Sequence, residues 1–126
     1  MALELLYRLL IAVSLLGGEV HAGYAPRYSP GVMERVARVR DLAPVDCMVS
    51  SPRYEVGAWI WVYGANTGTL LHCRVTDVSQ TRDRARHLRT KREVELGFEE
   101  AQRLCGASAL DKRPEQCPVI VVKVAP

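Results

Sequence analysis

The apolar positions of this chain fall into blocks of different period. Residues 9 to 16 (LLIAVSLL) are almost continuously apolar, follow Arg8 and stop at Gly17-Gly18. Val20 and Ala22 then stand at the small-residue spacing of a cleavage site ahead of Gly23. A basic residue, a short apolar run and such an ending predict a signal peptide over residues 1–22. The run is shorter than the roughly 20 apolar residues of a membrane span. A buried N-terminal helix and an uncleaved anchor are the alternatives.

The next blocks are less regular. Residues 23–31 (GYAPRYSPG) are turn-rich and expected to be extended. In 32–42 a stripe of Val36, Val39 and Leu42 fits a helix, while the β-branched residues fit a strand. Cys47 to Ser51 reads as a short strand ending at Pro52. Strict alternation starts at Ala58, with Ala58, Ile60 and Val62 on one face and Trp59, Trp61 and Tyr63 on the other. Gly64 to Gly68 is a hairpin connection. The returning strand, Thr69 to Asp77, groups Leu71, Cys73, Val75 and Asp77 against His72, Arg74 and Thr76. Residues 79–92 (SQTRDRARHLRTKR) lack strand periodicity and read as a loop. Glu93 to Leu96 is strand-like. Gly97 to Leu104 is helical, acidic at its start and followed by Gly106. Pro118 to Val124 barely alternates, so both its faces should be covered. The inventory is six short strands with one helix before the last, an all-β chain closed into a small barrel.

Composition adds limits. A chain of 126 residues with 48% hydrophobic and 25% charged positions is one globular domain. A net charge of +3 permits an anionic partner without demanding one. Cys47, Cys73, Cys105 and Cys117 are an even set in an apparently exported chain, and read as two disulfides. Of the alternative pairings, Cys47–Cys73 with Cys105–Cys117 is the expected one; the second closes a short loop across Gly106 and Pro114. No C-x-x-C occurs, and the gaps suit no zinc site.

The order of Gly57-Ala-Trp-Ile-Trp-Val, Cys73-Arg-Val-Thr-Asp77, Arg92-Glu-Val-Glu-Leu-Gly97 and Pro118-Val-Ile-Val-Val-Lys-Val124 resembles the RlpA-like double-psi β-barrel family, related to barwin and expansin-type domains. The likeness covers about residues 45–124, with 23–44 as an N-terminal extended segment and first barrel element. It implies a six-stranded double-psi β-barrel acting on peptidoglycan or a related polysaccharide outside the cytoplasm, secreted or in the cell envelope. A lytic transglycosylase of this kind protonates the glycosidic oxygen, and Asp77 is the candidate acid. Its phase places it at the barrel mouth, where desolvation raises a carboxyl pKa. Glu95 or Asp83 is the candidate second carboxylate, and a position near the N-terminus of the 97–104 helix is the blander reading of Glu95. Ser51 stands where members often carry His, which points instead to a non-catalytic, expansin-like binding module.

Other residues bear on binding. Trp59, Trp61 and Tyr63 form an aromatic row, which packs in a core or, on an open face, stacks on sugar rings. Arg84, Arg86 and Arg89, with His87 between them, belong to a basic segment; it is either solvated or a grip on carboxylates and phosphates. That segment also admits a third class, a secreted interaction protein. The expected partner is a polysaccharide, with no nucleic acid, no cofactor, no metal and a membrane only through the leader. The expected state is a monomer.

Overall fold

The computed structural model describes residues 2–110 and 113–125. The two ends of the expected 1–126 organisation, and residues 111 and 112, lie outside them. The elements in chain order are helix α1 (Ala2–Leu15), strand β1 (Glu19–Tyr24), helix α2 (Val32–Val39) and strands β2 (Met48–Ser51), β3 (Trp59–Gly64) and β4 (Thr69–Val78). Helix α3 (Thr81–Arg89), strand β5 (Glu95–Leu96), helix α4 (Phe98–Cys105) and strand β6 (Pro118–Lys123) follow. The six strands form one sheet in the order β1-β6-β3-β4-β2-β5, curled into a half-barrel. Its two edges are stitched by residues 24–28: Glu93 donates to the Tyr24 carbonyl, Leu96 to that of Pro26, and Tyr28 to that of Leu96.

The alternation in β3 and β4 works as the sequence dictates. Ile60, Val62, Cys73 and Val75 are fully buried, and with Val49, Leu96, Val119 and Val121 they fill the concave side. Helix α4 closes that side with Ala101, Leu104 and Cys105. Gly68 takes φ +73° in the β3–β4 turn, which a side chain would resist. Strand β6 lies between β1 and β3 with Val119, Val121 and Val122 buried, so covered faces explain its lack of alternation. Disulfides join Cys47 to Cys73 and Cys105 to Cys117. The first ties the approach to β2 onto β4; the second ties the end of α4 to the start of β6. Two such bridges fit an oxidising, extracellular compartment.

Three expectations need correction. A single helix was expected, and four α-helices are present among the described residues. Segment 79–92 is not a loop, because Thr81–Arg89 forms α3. Its straight-chain arginines and Ala85 favour helix, but only His87 is buried, so there is no apolar stripe to read. Segment 32–42 resolves to helix, with Met33 and Ala37 as its buried stripe rather than Val36 and Val39. Strand β1 runs from Glu19 through Gly23 to Tyr24 and pairs with β6. No described helix is long and apolar enough to cross a membrane.

Candidate functional site

The convex face of the sheet carries two groups of side chains. The first is aromatic. Trp59 and Trp61 point away from the core, and cross-strand pairing sets them opposite Arg74 and His72. The His72 ring stacks on Trp61 at 4.3 Å between centroids and lies tilted against Trp59 at 4.9 Å. Trp59 is 42% exposed and His72 is exposed, while Trp61 and Tyr63 are half-buried. The row therefore lies outside the core. Helix α1 leans over one end of it, where Leu9 and Val13 share a cavity of about 220 Å³ with Trp61, Leu70, Val122 and Val124. At the other end Arg74 is buried, and its Nε and Nη2 have no hydrogen-bond partner among the described residues.

The second group is polar. Ser50 of β2 pairs with Asp77 of β4 on one side and Glu95 of β5 on the other, a row across three adjacent strands. An irregularity between Val49 and Ser50 makes this register: Val49 faces Val75, but Ser50 faces Asp77, skipping Thr76. The skip takes Asp77 out of step with Val75 and places it with Ser50, beside Tyr28 and the end of α2. Asp77 accepts a hydrogen bond from Arg40 Nη2 at 2.6 Å. The Tyr28 hydroxyl lies beside the side chains of Ser50 and Glu95. Burial, and then the Glu95 charge, push that phenol up to about 12, so it stays protonated at any physiological pH. His87 Nδ1 lies 2.8 Å from Ser79 Oγ and 4.0 Å from Glu95 Oε1.

The expected site residues thus separate. Asp77, Glu95 and His87 come together in the polar row. His87 is buried there rather than solvated. Trp59, Trp61 and Tyr63 form the aromatic strip. Of the basic segment, Arg86 pairs with Asp83 on α3 and remains exposed, as does Arg89, while Arg84 reaches back to the carbonyls of Pro52 and Arg53. Sequence reasoning missed Tyr28, Arg40, Ser50 and Ser79, because nothing local marks them and long-range pairing alone assembles them. His72 was assigned to a surface face, and it is there, but its stacking on Trp61 follows only from the β3–β4 register. Among the described residues no group of His, Cys, Asp and Glu is arranged to hold a metal ion.

The arrangement is that of a small, disulfide-tied β half-barrel with an open aromatic strip and a carboxylate row. No protein-family model matches the chain, and no curated protein matches it. Among solved structures it is similar to the apo crystal structure of an expansin from Clavibacter michiganensis, with a TM-score of 0.54 and 19% sequence identity. The alignment covers 85% of this chain and 51% of the expansin, so the chain spans about half of that protein's length. At this identity the likeness shows a shared fold.

Proposed function

We propose that this chain is an exported polysaccharide-binding module of the cell wall, expansin-like in architecture, that holds a glycan chain on its convex face. The observation carrying this reading is the exposure of Trp59 in a strip with Trp61 and His72. An aromatic ring left in water on a rigid strand offers an apolar plate to the C–H face of a sugar, with little conformational entropy to lose. Asp77 and Glu95, half-buried on neighbouring parts of the sheet, add hydrogen-bonding groups beside it. Residues 1–22 act as the export leader, and their removal frees the Trp61 end of the strip.

Binding is favoured over cleavage by the state of Asp77. A carboxylate that accepts a short bond from Arg40 serves as an acceptor; to deliver a proton to a glycosidic oxygen it must first be released. The test compares wild type with Asp77→Asn on insoluble wall polysaccharide, scoring bound protein and soluble saccharide separately. Equal sedimentation of both proteins with no soluble product supports a binding module. Anhydro-sugar products from wild type alone would replace it with a lytic transglycosylase using Asp77.

A further inference from the structure

A cavity of about 600 Å³ lies away from the aromatic strip, at the mouth of the half-barrel. It opens where β2 and β4 end and β3 begins, between Ser51, Val78 and Ala58, with Lys123 at the end of β6 on its wall. Arg53, Arg84 and Lys123 line it, and Glu55 is the acidic residue in the lining. The three cations are not equivalent. Arg53 gives Nη2 to the buried carboxylate of Glu93 at 3.1 Å, so its charge is matched. Arg84 donates Nε to the Pro52 carbonyl at 2.7 Å and Nη2 to the Arg53 carbonyl at 3.3 Å. Those two bonds fix the guanidinium at the rim without neutralising it, and among the described residues they leave the rest of its five N–H donors over. Lys123 Nζ donates to the Val124 carbonyl, again with no carboxylate partner among the described residues. The hydroxyl-bearing residues Ser79 and Thr81 complete the polar wall.

A fixed, un-neutralised arginine beside a lysine in a cavity of this size suits a small anion carried on a hydroxylated body. We infer that this cavity binds the carboxylate of an acidic sugar, with Arg84 and Lys123 on the carboxylate and Ser79, Thr81 and Glu55 on the ring hydroxyls. Glu55 sets the choice of anion. A carboxylate in the wall accepts sugar hydroxyls well but repels a phosphate dianion more than a singly charged uronate. The choice of a sugar rests on the glycan-binding reading; the site itself is separate from the aromatic strip.

The test is an NMR titration of the protein with D-glucuronate, D-glucose and inorganic phosphate in parallel. Glucuronate should shift the amides of Tyr54, Ser79 and Thr81, with binding weakened by added salt and about tenfold weaker in Arg84→Gln. Lys123→Gln, at a side chain that anchors no other element, should lose affinity in the same direction. Glucose binding as well as glucuronate, phosphate binding more tightly, or both variants binding as wild type would each overturn the assignment. Trp59→Ala separates the two sites: it should leave glucuronate binding intact. If that variant also keeps full retention on neutral polymer, the convex-face reading fails while the cavity stands.

Discussion

Arg40, just past the end of α2, holds Asp77 of β4 at 2.6 Å. The pair links the helix that covers Met48 to the strand that carries the polar row. With the two side chains 39% and 25% exposed, solvent screens it, and its coupling should be only about 0.5–1 kcal/mol. A double-mutant cycle of Arg40→Ala and Asp77→Asn by urea unfolding measures it. Coupling above about 2 kcal/mol would contradict the screening of the pair by solvent.

Glu100 is buried on α4, with Oε2 3.4 Å from the Met48 amide. Burial raises its pKa above the ordinary 4.5. The folded state therefore holds the proton to higher pH than the unfolded chain does. The stability tied to this group is fully present below pH 4.5 and is lost as pH rises through the folded-state value. Glu100→Gln should flatten that decline and be more stable than wild type at pH 7, as read by thermal melts across pH. A variant with an unchanged pH profile would refute the assignment.

Gly64 ends β3 against the backbone of α4, and a Cβ there would collide with the Leu104 carbonyl. Backbone cannot give way as a side-chain tip can. Gly64→Ala should cost about 1–3 kcal/mol, the usual range for overpacking. Chemical denaturation checks it, and a loss below about 0.5 kcal/mol would contradict the close approach.

Arg74 is a buried cation whose Nε and Nη2 lack partners among the described residues. Such a group weakens the fold, so Arg74→Met should raise stability by about 1–3 kcal/mol. A fall in the unfolding midpoint would show that the guanidinium has an anion in solution.

Removal of residues 1–22 has two opposing effects. Glu19 to Ala22 pair with Lys123 to Ile120, so the cut strips one edge of β6. It also takes Leu9 and Val13 away from Trp61. Tryptophan emission should shift to the red in the 23–126 form relative to the full chain, with a lower melting temperature. Identical emission would mean that α1 does not cover the strip.

The alternating strands, the paired cysteines and the α4 region were legible because each obeys a local rule: period two, an even cysteine count, and acidic-to-basic polarity ending at a glycine. Helix α3 was not, since a helix polar on nearly every side looks like a loop until His87 finds Ser79. Asp77 was placed by counting in twos along β4, and the skip at Thr76 shifts that count by one. Tyr28 and Ser50 join the site through register between distant strands, which no window of sequence contains. For Trp59, Trp61 and Tyr63, alternation gave the face but not whether that face is covered.

The most direct measurement is co-sedimentation of Trp59→Ala with insoluble wall polysaccharide, beside wild type and a fold-matched control such as Arg89→Ser. Loss of a stacked aromatic anchor should weaken retention by more than about tenfold, with the melting temperature and both disulfides unchanged. Retention equal to wild type would mean that the exposed strip does not hold glycan.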